Sequence, residues 1–140
     1  FPKNSTELSS LTYRIATMKI LLIEDSIDFL NKMKSFLEDM EYEVVTAMDG
    51  LEGIEMIKKH PDLVLIISDV NMPNLDGISM CKRIRKEQLQ SPPIMMVTTE
   101  GSKKLRKEGE EVGVNYWLIK PVPQKMLISM VEKILNQENN

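Results

Sequence analysis

Five side chains of this sequence have the types and positions to do chemistry together: Glu24, Asp25, Asp69, Thr98 and Lys120. Each stands where a short apolar run stops. KILLI ends on Glu24-Asp25, LVLIIS on Asp69, IMMV on Thr98 and NYWLI on Lys120. A single aspartate after a strand is ordinarily a turn or capping residue, but several reactive side chains at the same ends of consecutive strands share one location. In open α/β sheets ligands bind at that carboxyl edge. Three carboxylates cannot gather there unaided, because two like charges about 4 Å apart repel by about 4 kcal/mol at an effective dielectric near 20. Lys120 supplies one positive charge, and a divalent cation would neutralise the formal negative charge that remains. Oxygen ligands select a hard cation, and few protein ligands with room for water suit Mg²⁺ better than Ca²⁺. Mg²⁺ beside a carboxylate, an ammonium and a hydroxyl is equipment for phosphoryl transfer. Asp69 would be the nucleophile, forming an acyl phosphate whose oxygens Mg²⁺, Lys120 and the Thr98 hydroxyl would hold.

The elements that must position these groups repeat along the chain. Residues 19–23 and 43–47 (EVVTA) read as the first two strands. The aliphatic run that begins at Leu63 is too short for a buried helix and is closed by Asn, Pro and Asp-Gly turn signals, so it reads as a central strand. Residues 94–97 and 115–119 supply the fourth and fifth. Between them, apolar residues recur at helical spacing: Phe29, Leu30, Met33, Phe36, Leu37 and Met40 after Ser26 as N-cap; Leu51, Ile54 and Ile57 after the capping-box pattern Asp49-Gly-Leu-Glu52. His60-Pro61 stops that second helix. Asp76 caps a third helix with Ile78, Cys81 and Ile84 inward, and Pro121 and Pro123 open the last. The fourth, Ser102 to Val112, has only Leu105 and Val112 as apolar anchors and carries Gly109, which costs about 1 kcal/mol against Ala in a helix interior. It is expected to be the least stable helix. Five strands alternating with five helices imply an α/β doubly wound parallel sheet covered on both faces. Of the common orders, five strands favour 2-1-3-4-5, which makes the first and third strands neighbours at the switch point.

At 140 residues with 42% hydrophobic content, the chain fits one domain. Residues 1–17 are polar, lack sustained periodicity and read as a disordered extension or remnant before a natural start at Met18. The domain is expected over 18–136, with a polar tail at 137–140. Net charge is -3 with the two signs interleaved, which gives no basic face for nucleic acid. The single Cys81 excludes an internal disulfide and fits a reducing compartment. No signal-peptide pattern or membrane-length apolar stretch is present, so the expected location is cytoplasmic. Eleven methionines at helical spacing read as core filler.

With these residues assembled, the chain from Met18 to about Asn136 resembles the response-regulator receiver domains of two-component signalling, the CheY-like group with a flavodoxin-like fold. The resemblance rests on Glu24-Asp25, on the run from Asp69 to Gly77 (DVNMPNLDG), on Val97-Thr98-Thr99-Glu100 and on Lys120-Pro121, in family order and spacing. It implies phosphorylation of Asp69 by a histidine kinase or a phosphotransfer protein. It also implies Mg²⁺ binding by Glu24, Asp25, Asp69 and the backbone carbonyl of Asn71, and a cis Lys120-Pro121 peptide. Asn71 and Glu100 occupy the positions that tune acyl-phosphate lifetime, and a polar, acidic pair is similar to the chemotaxis-type choice. The switch implied by the family couples Thr98 to an aromatic residue three positions before the lysine. Here that residue is Trp117, bulkier than the usual Tyr or Phe and with an N–H donor only, so a switch that buries the ring would be altered; a plain core tryptophan is the competing reading. The output would be a protein target on the face of the fourth helix, fifth strand and fifth helix, controlled without enzymatic turnover of a separate substrate.

Three alternatives use the same sheet. An aspartyl-nucleophile phosphatase of the haloacid-dehalogenase type would place a second Asp two residues after the first, where Asn71 stands. A flavodoxin-type binder would need glycine in the loop after the first strand, which here is Glu-Asp-Ser-Ile-Asp and acidic. The third is a receiver that forms part of a longer regulator in place of a stand-alone one.

Overall fold

The structure, a computed structural model, describes residues 18–138. Five strands form one parallel sheet: β1 (Lys19–Ile23), β2 (Glu43–Ala47), β3 (Leu63–Ser68), β4 (Ile94–Thr98) and β5 (Tyr116–Ile119), in the order β2-β1-β3-β4-β5. Each crossover carries a helix: α1 (Ile27–Asp39), α2 (Gly50–Lys59), α3 (Gly77–Lys86) and α4 (Lys103–Glu111), and α5 (Gln124–Glu138) follows the last strand. The α/β flavodoxin-like arrangement and strand order expected from the sequence are therefore present. α5 runs to Glu138, two residues into the segment 137–140 expected as a polar tail. The expectations for residues 1–17, and for the tail beyond 138, lie outside the described residues.

The three central strands, β1, β3 and β4, are almost continuously apolar and buried because both sheet faces are covered there, whereas the edge strand β2 exposes Glu43 and Thr46. Ile20 and Leu22 point into one core with Leu30, Met33 and Leu37 of α1 and Leu127, Val131 and Ile134 of α5. Leu21 and Ile23 point into the other with Ile54 and Ile57 of α2 and Ile78, Met80, Cys81 and Ile84 of α3. Met33, Met80, Met95 and Met96 are the core filler the pattern suggests, whereas Met40 and Met126 are exposed. Among the described residues no helix is long and apolar enough to cross a membrane.

Helix starts follow the capping signals with one exception. Asp49 accepts from the Glu52 N–H, and the Glu52 carboxylate reaches back to the Met48 N–H at 2.6 Å. Asp76 accepts from the Ser79 N–H, Ser102 accepts from the Leu105 N–H, and His60 stands at the C-cap of α2. Ser26 occupies the N-cap position of α1, but its side chain makes no capping bond. The start of that helix is tied instead by its backbone carbonyl, which accepts from Leu30.

α4 has the weak anchoring its sequence suggests: Leu105 and Val112 are only partly buried against the second core. Its basic residues fall in the first half and its acids in the second, with no acid in the first turn and no base in the last. That arrangement opposes the helix dipole. Gly109, by contrast, has a packing reason that the propensity scale does not contain. It is buried, and a Cβ there would come within 2.9 Å of the Trp117 ring and 3.4 Å of Val114. The expected outcome is that Gly109→Ala destabilises the protein by roughly 1 kcal/mol, because overpacking (about 1–3 kcal/mol) outweighs the helix-propensity gain (about 1 kcal/mol). Urea unfolding checks it, and in a Trp117→Leu background, with the ring removed, the same change should stabilise.

Candidate functional site

The sheet order brings the reactive side chains to one edge through the last hydrogen bonds of the strands. Beyond the β1–β2 and β1–β3 ladders, the Glu24 N–H donates to the Ala47 carbonyl at 3.0 Å and the Asp69 N–H to the Ile23 carbonyl at 3.1 Å. Two adjacent carboxyl-bearing residues are thereby fixed side by side at the switch point. On the far side of β4, the Lys120 N–H donates to the Thr98 carbonyl at 2.8 Å. The Lys120 side chain crosses to the carboxylates, donating to Glu24 Oε1 at 2.6 Å and to Asp69 Oδ2 at 3.0 Å. Its ammonium also sits 4.1 Å from the centroid of the Phe29 ring, a cation–π contact that holds it from the α1 side. The Lys120-Pro121 peptide is cis.

The electrostatics separate the two carboxyls. Burial pushes the Glu24 carboxyl up to about 7, opposed by the hydrogen bond from Lys120. Burial pushes Asp69 in the same direction, but Lys120 and the Thr98 hydroxyl outweigh it and hold the carboxyl below its ordinary value. Lys120 is raised, because its two carboxylate partners overcome its own desolvation. Asp69 is therefore ionised at neutral pH, where Glu24 is only partly so, and an ionised carboxylate is the state a nucleophile requires. One oxygen, Glu24 Oε2, is buried without a hydrogen-bond partner. Glu24, Asp25 and Asp69 each offer a carboxylate oxygen within 4.8 Å of the others. An orphaned buried oxygen in an all-carboxylate donor set fits a hard divalent cation.

Two loops flank this cluster. In the β3–α3 loop, Asp69 Oδ1 accepts from the Val70 N–H at 2.6 Å and, at 3.4 Å, from that of Asn71. In the β4–α4 loop, the Glu100 N–H donates at 3.3 Å to the hydroxyl of Thr98, the fully buried last residue of β4. The loops are joined where the Asn71 amide donates to the Glu100 carboxylate at 2.8 Å. Trp117 is half-buried, and its indole N–H donates to the Glu100 carbonyl at 3.0 Å. Trp117 and Thr98 are thus both bonded to Glu100 in the β4–α4 loop. Glu24, Asp25, Asp69, Asn71, Thr98, Glu100 and Lys120 lie at this edge, and Trp117, inside β5 opposite Met96, reaches it through Glu100. Two participants did not announce themselves: Phe29, which reads as an ordinary apolar position of α1, and Asn74, whose amide donates to the Asp49 carboxylate at 2.6 Å.

The raised Glu24 has a sign that can be checked in metal-free protein. The folded state keeps a proton that the unfolded chain releases near its ordinary value of 4.5, so Glu24 stabilises the fold at low pH and this contribution is lost as pH rises to about 7. Asp69, being lowered, acts only at the acid end, and Lys120, being raised, only at the alkaline end. Between pH 4.5 and 7.5, with chelator present, urea unfolding should show wild type losing up to about 3 kcal/mol more than Glu24→Gln. Parallel pH profiles would contradict this assignment.

The family model of the response regulator receiver domain matches residues 20–132. A chemotaxis protein CheY homolog of Campylobacter jejuni is 32% identical over 120 residues, which span 84% of this chain and 92% of that protein. A probable transcriptional regulator, ycf27, of Cyanophora paradoxa is 37% identical over 123 residues, but the chain spans only 50% of its length. Among solved structures, the Vibrio cholerae chemotaxis protein CheY4 superposes with a TM-score of 0.78 at 37% identity, covering 84% of this chain and 98% of that one. A two-component response regulator from Clostridium difficile gives 0.82 at 28% identity, covering 89% and 100%. With its sheet order, its acidic edge and a family match over most of its length, this chain belongs to the response regulator receiver domains of the CheY-like group.

Proposed function

We propose that this receiver is switched by phosphorylation of Asp69 and that Mg²⁺ is required for the transfer. The observation that carries the reading is the single ammonium of Lys120 shared between Glu24 and Asp69 beside an unpartnered buried carboxylate oxygen. Glu24, Asp25, Asp69 and the Asn71 backbone carbonyl would hold the ion, which when bound supplies positive charge to the transferring phosphoryl group. An Asp69 carboxylate oxygen attacks phosphorus as the bond to the donor's leaving group breaks, giving an acyl phosphate on Asp69. Lys120 Nζ and the Thr98 hydroxyl then donate to phosphoryl oxygens, the role their present contacts with Asp69 prepare. The donor is a histidine kinase or a phosphotransfer protein.

Asn71 and Glu100 bridge the two loops beside Asp69 and so govern water access to the acyl phosphate, tuning its lifetime. Output runs through the β4–α4 loop. A phosphoryl group that draws on the Thr98 hydroxyl changes the loop to which the Trp117 indole is bonded, and α4, weakly anchored and charged against its dipole, is the element that responds. The face of α4, β5 and α5 would then bind a protein target in the cytoplasm, with no separate substrate turned over, as a stand-alone receiver or within a longer regulator.

Acid-quenched intact-mass measurement after acetyl phosphate treatment tests the chemistry. Wild type should gain one phosphoryl group only with Mg²⁺ present, Asp69→Asn should gain none, and Lys120→Met should lose most of the gain. Equal labelling of Asp69→Asn would move the acceptor elsewhere.

A further inference from the structure

β2 contributes no side chain to the acidic cluster, yet at its end stands a buried carboxylate that the phosphoryl chemistry does not use. Asp49 is 7% exposed. One of its oxygens caps α2 by accepting from the Glu52 N–H at 2.9 Å, and the other accepts from the Asn74 side-chain amide at 2.6 Å. Asn74 lies in the loop that follows Asp69 and adopts φ +66°, a left-handed conformation that Asn and Gly tolerate. Beside it, the Gly50 N–H donates to the Leu75 carbonyl at 2.9 Å. A Cβ at Gly50 would lie 2.5 Å from that carbonyl oxygen, so only glycine permits the approach. At its other end the loop is closed by the Gly77 N–H donating to the Val70 carbonyl at 2.8 Å.

We infer that Asp49 and Asn74 form a clasp that positions the β3–α3 loop, and with it the Asn71 carbonyl, against the Asp69 carboxylate. The clasp rests on the reading above that the Asn71 carbonyl is a metal ligand. Asn71 reaches Asp69 by its own N–H at 3.4 Å, a long and weak bond, and its exposed side chain points to Glu100 on the neighbouring loop. The rest of the loop must therefore be held from elsewhere. The neighbouring α2 offers a charged acceptor to Asn74 and a backbone donor to Leu75, and a hydrogen bond to a carboxylate is about twice as strong as a neutral one. Asp49 is a positioning residue: it touches neither the phosphoryl group nor the ion, and acts on both through Asn74.

The test uses Asn74→Gly, which keeps the backbone conformation and removes the amide; Asn74→Asp, which faces two carboxylates against each other; and Asp49→Asn with Asn74→Asp, which reverses the polarity of the same hydrogen bond. Mg²⁺ affinity by calorimetry and amide hydrogen exchange of metal-free protein are read on each. The two single variants should weaken Mg²⁺ about tenfold, as loss of a residue supporting a metal ligand commonly does. They should also speed exchange at Val70, Asn71 and Gly77 while α1 amides stay unchanged. The double variant should restore both readouts. Single variants with wild-type affinity and exchange, or a double variant that recovers neither, would overturn the clasp. If wild-type protein bound no Mg²⁺, the ligand reading of Asn71 would fail, and the exchange pattern alone would decide for or against the clasp.

Discussion

Carboxylates that share one end of a parallel sheet repel each other, and this repulsion is the constraint around which the molecule is arranged. Glu24 and Asp69 are placed as neighbours by the β1–β3 ladder, whose register pairs Ile23 with Ser68 immediately before them. The cost of that juxtaposition is met in two ways. One carboxyl is pushed toward its protonated form by burial, and Lys120 brings an ammonium across from β5 to bond both. Since β4 lies between β3 and β5, the lysine side chain has to span an intervening strand, and the ring of Phe29 supports it there. The chemistry proposed for Asp69 follows from the same arrangement, because a cluster short of positive charge is one that welcomes a cation and then a phosphoryl group.

Around this cluster the loops divide the work. The β3–α3 loop is pinned on the α2 side by Asp49 and Gly50, and bonded on the other side to Glu100. The β4–α4 loop is tied at Glu100, whose carboxylate accepts from the Asn71 amide and whose carbonyl accepts from the Trp117 indole. Trp117 in turn fits because position 109 of α4 is glycine. A large ring and an absent side chain are thus complementary across the α4–β5 boundary, which makes the unusual aromatic at this position part of a pair. The most weakly anchored helix, α4, is the one connected to the site through that pair.

The fold was legible because its central strands are buried on both faces and so appear as short apolar runs, each stopped by the polar residue that ends it; the edge strand β2, with Glu43 and Thr46 exposed, was placed by its β-branched residues between two helical patterns. The site was legible for the same reason: Glu24, Asp25, Asp69, Thr98 and Lys120 are the residues at which those runs stop, and a doubly wound order collects them. What was not legible depends on who meets whom in three dimensions. Gly109 looks like a helix defect until Trp117 is seen above it. Phe29 has the spacing of a core residue and gives no sign of an ammonium over its ring. Asp49 reads as a cap, which it is, but its second oxygen finds a partner 25 positions away at Asn74. Ser26 shows the converse, since a favourable N-cap residue stands in place without its side chain making the bond.

The proposal that the acidic edge is electrostatically incomplete without a divalent cation is tested by the thermal unfolding midpoint as Mg²⁺ is raised at constant ionic strength. A ligand that binds only the folded state stabilises it progressively once its concentration exceeds the dissociation constant. The midpoint should climb steadily with Mg²⁺ in wild type and stay level in Asp25→Asn/Asp69→Asn, which lacks two of the three clustered carboxylates. A midpoint indifferent to Mg²⁺, or one that rises equally in that variant, would contradict it.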